Sequence, residues 1–237
     1  MAGLKLTVRD LRRQWKPHKQ RLSLVDPGHS SNVRFHRACS WLQRCEQIHD
    51  DSELDLALLS QWTAFNALYG QWDSDRSEPL PDRASWRQFL DRILQLDESQ
   101  FLVDALQENK PLVMSIYDDE YLSGYFWEDP TEVRAKKSKK TKFEAQTWYL
   151  HGNWILILER LVERIYFLRC QLVHGAATFN SSLNRVAIRR CTQMMEHLLQ
   201  AILLTWITHG ADEEWGAMCY PPKHSSSPNR AARSRYS

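Results

Sequence analysis

The chain has no apolar run long enough to cross a membrane. Runs such as "WILIL" and "LLQAILL" fall far short of the roughly 20 residues that a helical span needs. The opening "MAGLKLTVRDLRRQWKPHKQR" lacks the apolar core of a signal peptide. Five cysteines, an odd number without a close pair, do not form a disulfide framework and suit a reducing compartment. We therefore expect a soluble cytoplasmic protein without a membrane partner.

The usual signatures of metal and cofactor chemistry are also missing. There is no glycine-rich phosphate loop, no nucleophile elbow and no histidine pair at metal-binding helical spacing, so we expect no cofactor. His36, Cys39, Cys45 and His49 are zinc-type ligands close together in the sequence. On one continuous helix, at about 100° per residue, these four side chains point in different directions. The sequence therefore predicts no metal site.

Charge is balanced overall but unevenly distributed. The net charge is +2 over 237 residues, yet residues 134–142, "RAKKSKKTK", carry no acid, and the segment from residue 220 is basic and rich in proline and serine. We expect both segments to be exposed and mobile. Each is either solvated chain or an electrostatic footprint for phosphate backbones. On the second interpretation the candidate nucleic-acid contacts are Lys136, Lys137, Lys139 and Lys140.

What the sequence does contain is helical periodicity. Apolar residues recur at spacings of three and four in three long segments, and no alternating strand pattern of useful length occurs. The stripes are Leu54, Leu58, Trp62, Phe65 and Tyr69; Trp154, Leu158, Leu161, Ile165, Leu168 and Leu172; and Leu183, Ala187, Cys191, Met194, Leu198, Ile202 and Trp206. The segment "DRASWRQFLDRILQL" predicts a further helix, capped by Asp82 or Ser85. Residues 99–109 and 110–127 predict shorter helices.

These patterns predict an all-α protein. We expect an antiparallel helical bundle formed by one domain over residues 1–219. A helical insertion spans about 74–143, and residues 220–237 form a disordered basic tail.

Arginine and histidine are the remaining candidates for chemistry. Arginine offers a permanent charge and a planar fork that matches phosphate oxygens, and histidine transfers protons near neutral pH. RNA supplies its own nucleophile, the 2′-hydroxyl, so these two residue types suffice in principle. Arg-x4-His occurs three times, as Arg13 and His18, Arg44 and His49, and Arg169 and His174. The spacing alone is therefore not specific.

The sequence around the third pair resembles that of a known protein family. The segment "LRCQLVHGAATFNSSLNR" resembles the Arg-x4-6-His signature of the HEPN superfamily, and "WTAFNALYG" at 62–70 is similar to an N-terminal helix signature of the same proteins. The resemblance implies a helical bundle, commonly a homodimer, that acts as a metal-independent endoribonuclease in toxin, stress or anti-phage systems. It implies that Arg169 holds the scissile phosphate and that His174 transfers protons. Residues implied to line the cleft are Asn180, Ser182, Asn184 and Arg185.

Two features leave alternatives open. The position after the motif arginine is typically polar, most often Asn, and here it is Cys170. Five positions also leave Arg169 and His174 about 140° apart on an ideal helix, so one chain aims them differently unless the helix ends before His174. A two-fold interface would ease this by bringing two such pairs together. The alternative is a non-catalytic HEPN module that binds RNA, a nucleotide or a protein partner such as an antitoxin. A purely structural dimerisation protein is the third reading.

Overall fold

The computed structural model describes residues 6–221 and consists mainly of helices. The all-α prediction is confirmed. The helices are α1 (Val8–Val25), α2 (Ser30–Cys45), α3 (Leu54–Tyr69), α4 (Asp82–Gln95), α5 (Phe101–Glu108), α6 (Lys110–Tyr117), α7 (Gly124–Trp127), α8 (Glu132–Ser138), α9 (Lys140–His151), α10 (Trp154–Val173) and α11 (Arg185–Thr208). Single 3-10 turns lie at Asp51–Glu53 and Glu120–Leu122, and a short antiparallel hairpin pairs β1 (Trp72–Asp73) with β2 (Glu78–Pro79).

Helices α3, α10 and α11 organise the core. Helix α3 packs against α2 and α11, α11 also packs against α5 and α6, and α10 packs against α4 and α9. Trp62, Trp86 and Trp206 are fully buried side chains in one continuous apolar cluster. Residues of the middle segment, including Leu106 and Ile116, belong to the same cluster. Burial of these large side chains supplies the main driving force for folding.

The three predicted stripes form the buried faces of α3, α10 and α11. In α3 the four stripe residues from Leu58 to Tyr69 are all buried. In α11 the six stripe residues from Ala187 to Trp206 are all buried as well. The expected start of the last stripe was wrong, because Leu183 lies before the helix and is 92% exposed.

Two local expectations were also wrong. Asp82 does not cap α4 through its side chain: it is the first helical residue, and its carboxylate accepts a hydrogen bond of 2.6 Å from the Tyr69 hydroxyl. Residues 134–142 do not form a loop, because they continue α8 and begin α9. The Thr131 side chain caps α8 by accepting from the backbone N–H of Arg134.

Acidic side chains compensate much of the charge of this basic segment. Ion pairs join Lys139 to Glu120, Lys140 to Glu144, and Lys142 to Asp118. The partners Asp118 and Glu120 lie outside the basic segment, so the chain fold brings them to it. In the sequence this stretch is only a run of positive charges. Helix formation and ion pairs with distant residues together order it in the fold.

No helix within residues 6–221 combines the length and apolarity needed to span a bilayer. The five cysteines are free thiols. Apart from Tyr220 and Pro221, the predicted basic tail lies outside the described residues.

Candidate functional site

The end of α10 places the motif histidine through a Schellman motif. The N–H of Ala176 donates to the carbonyl of Gln171 at 2.8 Å, and the N–H of Gly175 donates to that of Leu172 at 3.3 Å. Gly175 has φ +70°, a conformation in which a Cβ would be strained. His174 is therefore the last residue before the chain turns away, and its side chain is exposed. The glycine that follows the motif histidine in the sequence is therefore the residue that this turn requires.

The charge of Arg169, near the end of α10, acts on two tyrosine hydroxyls, those of Tyr69 on α3 and Tyr166 on α10. Arg169 is half-buried, and its Nη1 lies 4.0 Å from the Cys170 Sγ. Burial raises the pKa of Tyr69, and the nearby Asp82 carboxylate raises it further, while the charge of Arg169 lowers it. Burial likewise raises the pKa of Tyr166, and Arg169 again opposes the rise. The guanidinium charge thus acts on two tyrosine hydroxyls, of which that of Tyr69 donates its hydrogen bond to Asp82.

The two stretches that carry the resemblance meet in the fold. Trp62 on α3 contacts Tyr166 on α10, with ring centroids 5.6 Å apart. Tyr69, at the end of the same α3 segment, is close enough to Arg169 for its pKa to respond to that charge. The N-terminal signature therefore supports the face of α10 on which Arg169 stands.

Arg169 and His174 do not contact each other within one chain. Among the described residues, no hydrogen bond or ion pair joins their side chains. The angular separation of about 140° expected for five helical positions accounts for this, because α10 remains helical up to Val173. A single chain presents the two groups on different sides of the helix end.

Part of the polar connection after Gly175 is fastened to α3. Arg185 donates to the Asp55 carboxylate at 2.9 Å and to the Asp51 carbonyl at 3.1 Å. The backbone N–H of Asn180, a residue with φ +54°, donates to the same Asp55 oxygen at 3.3 Å. Arg185 and the Asn180 backbone thus act as anchors of the connection.

The other two predicted cleft residues differ in exposure, since Asn184 is half-buried. Ser182 is exposed. Asn184 precedes α11 without capping it through its side chain, and it lines a cavity of about 290 Å³ together with Gln171 and Arg190. Gln171 comes from α10, so Asn184 borders the surface between the two helices that flank the motif.

The zinc-type residues lie apart from one another. Cys39 is fully buried in α2, and burial raises the pKa of its thiol to about 12. Burial also raises the pKa of Cys45, at the end of that helix, to about 11. His36 is exposed on α2, and His49 is exposed beyond the end of that helix. Within residues 6–221, no three His, Cys, Asp or Glu side chains are grouped so as to hold a metal ion.

The structure adds a group of residues that the sequence did not suggest. Arg83 and Arg87 on α4 and Arg160 on α10 surround the carboxylate of Glu163 on α10, and we call these four residues the arginine cluster. Only the pair Arg160 and Glu163 is visible as a helical spacing of three. The other two arginines come from a helix 76 residues away in the chain, which no local pattern reveals.

Two of the four candidate nucleic-acid lysines share a cavity with members of this cluster. Lys136 and Lys137 are exposed, and neither forms an ion pair with a described residue, whereas Lys139 and Lys140 are paired with Glu120 and Glu144. Lys137 and Lys140 line a cavity of about 630 Å³ together with Arg83, Arg160 and Glu163.

Comparison of the chain with protein-family models, curated proteins and solved structures gives no match in any of the three.

Proposed function

We propose that the protein is a metal-independent endoribonuclease of HEPN type that acts as a homodimer. The observation that carries the proposal is the end of α10, where the charge of Arg169 acts on the Tyr69 and Tyr166 hydroxyls and a Schellman turn presents the exposed His174. This pair combines a fixed positive charge with a group able to transfer protons. The proposal includes a cytoplasmic location, a role in toxin, stress or anti-phage systems, and a neutralising protein partner.

The chemistry needs few groups. A neutral His174 imidazole accepts the proton of a ribose 2′-hydroxyl, whose oxygen attacks the adjacent phosphorus. The bond from phosphorus to the 5′-oxygen breaks, and that oxygen takes up a proton from a second His174 or from water. Arg169 binds the phosphate oxygens and stabilises the charge that develops on them. The products are a 2′,3′-cyclic phosphate and a 5′-hydroxyl end.

Exposed apolar side chains in the chain segment that contains His174 support the dimer. Four residues of the helix end, the connection and the start of α11 are more than half exposed, namely Val173, Phe179, Leu183 and Val186. A group of apolar side chains at the surface is typical of a protein interface. Pairing this surface with that of a second copy would bring two motif segments together, which the separation of Arg169 and His174 within one chain requires.

The test is cleavage of RNA by purified protein in excess chelator. We expect the wild type to cut and to leave 2′,3′-cyclic phosphate ends, while Arg169→Ala and His174→Ala do not cut. A substrate with 2′-O-methyl groups should resist, because it has no free nucleophile. Equal cutting by the wild type and both variants would refute the assignment of the site, and cutting that stops in chelator would refute the metal-independent mechanism.

A second candidate function is a non-catalytic RNA-binding module. It is favoured by Cys170, a poor hydrogen-bond partner at the position beside Arg169 where an amide is typical. On this reading His174→Ala binds RNA as tightly as the wild type, binding weakens steeply with salt, and no substrate is cut.

A further inference from the structure

The arginine cluster holds more positive charge than its carboxylate neutralises. Both oxygens of Glu163 are occupied, since Oε1 faces Arg83 and Arg87, and Oε2 accepts from Arg160 at 2.7 Å. One carboxylate thus faces three guanidinium groups. Burial lowers the pKa of Arg83, and the charges of Arg87 and Arg160 lower it further, which shows that the cations are close enough to repel one another.

The guanidinium groups retain unused hydrogen-bonding capacity. A guanidinium has five N–H donors, and Glu163 has only two oxygens to share among three of these groups. The Nε of Arg87 is buried and has no hydrogen-bond partner among the described residues. The side chains of Arg83, Arg87 and Arg160 nevertheless remain between 40% and 50% exposed, so an anion in solution reaches them.

The cavity beside the cluster is also lined by more positive than negative side chains. Its lining includes five cationic side chains and three carboxylates, which are Arg83, Lys137, Lys140, Arg160 and Arg164 against Glu128, Glu144 and Glu163. Arg164 is 5% exposed and donates to neutral acceptors, the carbonyls of Asp119 and Ser138 and the Thr141 hydroxyl. A concave surface with an excess of positive charge concentrates anions.

The cluster is aligned with the proposed catalytic end of α10. Arg160, Glu163, Phe167, Cys170 and His174 follow one another at spacings of three, four, three and four, which places them on one face of the helix. The fourteen residue steps from 160 to 174 extend for about 21 Å along the helix axis. A strand with repeated phosphates is long enough to reach from the cluster to His174, whereas a single nucleotide is not.

We infer that Arg83, Arg87 and Arg160, together with the cavity that Arg83 and Arg160 border, bind the phosphate backbone of an RNA strand and direct it along α10 toward His174. Guanidinium forks match the geometry of phosphate oxygens, and each such contact releases counterions from the strand. The inference rests on the proposed RNA substrate, but it concerns binding and not cleavage.

The test measures binding of a fluorescent 2′-O-methyl oligoribonucleotide, which the proposed chemistry does not cut, over a range of salt concentrations. The double variant Arg83→Gln with Arg160→Gln should weaken binding about tenfold for each lost contact. It should also reduce the slope of log affinity against log salt by about 0.7 for each contact. The matched control is Arg92→Gln, which removes an arginine of the same helix that pairs with Glu213 outside the cluster. It should bind like the wild type.

A second double variant, Arg83→Lys with Arg160→Lys, distinguishes an effect of lost charge from an effect of a disturbed fold. It keeps both charges and should retain the salt slope, while circular dichroism verifies the helical fold of each variant. Unchanged binding by the folded glutamine variant would overturn the inference and leave the cluster as a fastening between α4 and α10. Absence of binding by the wild type would overturn it too, and so would competition by ATP as strong as that by the oligonucleotide.

The outcome is independent of the catalytic proposal. If no RNA is cut but the cluster variants weaken binding as described, the ribonuclease proposal fails and this inference stands. If Arg169→Ala abolishes cutting but the cluster variants bind normally, the inference fails and the ribonuclease proposal stands.

Discussion

At the scale of single residues, the motif connection depends on one buried ion pair. The Asp55 side chain is 4% exposed and that of Arg185 is 14% exposed, which makes this the least exposed ion pair among the described residues. One oxygen of the Asp55 carboxylate, Oδ1, has no hydrogen-bond partner among the described residues. The carboxylate therefore relies on Arg185 and the Asn180 N–H, and losing the arginine would leave a charge with little compensation.

We predict that Arg185→Ala lowers the free energy of unfolding by about 3 kcal/mol, because removing one partner of a buried pair leaves the other desolvated and unpaired. Denaturant unfolding followed by circular dichroism measures this change. The matched control is Arg189→Ala, which removes the exposed ion pair with Asp51 and should cost less than about 1 kcal/mol. Equal losses in the two variants would contradict the anchoring role of Arg185.

Individual residues also show which parts of the site could be predicted from the sequence. Arg169, His174 and Gly175 were identified from their context, and the Schellman turn explains why that context is informative. Arg185 was expected in a cleft, but Asp55 holds it, and that contact spans 130 positions of the chain. Partners so distant in the sequence leave no local signal, so its anchoring role was visible only in the structure.

At the scale of elements, the end of α10 is set by backbone geometry. An added Cβ at Gly175 would meet no atom within 4 Å, so the cost of a side chain there is that of its φ of +70° alone. We predict that Gly175→Ala destabilises the protein by about 1 to 2 kcal/mol and reduces RNA cleavage by displacing His174. Thermal unfolding and the cleavage assay measure the two effects.

The control for this variant is Gly28→Ala. Gly28 does not have a positive φ, and an added Cβ there would meet its nearest neighbour at 3.5 Å, an ordinary contact. This substitution should leave both stability and cleavage close to those of the wild type. If Gly175→Ala behaved in the same way, the Schellman turn would not be what positions His174.

Elements with a strong apolar stripe were predictable, and those ordered by charge were not. The faces of α3, α10 and α11 repeat at three and four, so their burial followed from the sequence. The start of α9 has no such stripe, and its lysines are compensated by Asp118 and Glu120 from other elements. The arginine cluster was missed for the same reason, because α4 and α10 each contribute only part of it.

At the scale of the whole molecule, the proposal requires two copies. We predict that Phe179→Glu and Leu183→Glu convert a dimer into a monomer and abolish cleavage, because each places a charge in the apolar surface beside His174. Sedimentation velocity measures the change. Leu150→Glu on α9, at a side chain that is 80% exposed, is the control and should remain dimeric. Dimers formed equally by all three variants would place the interface elsewhere.

The most direct measurement of the central claim is the rate constant of RNA cleavage in excess chelator. We predict that Arg169→Ala and His174→Ala each lower it at least about 100-fold, because they remove phosphate stabilisation and proton transfer respectively. Arg44→Ala and His49→Ala remove an exposed pair with the same spacing and should cut at the wild-type rate. Equal rates for all four variants, or no cutting by the wild type, would contradict the account.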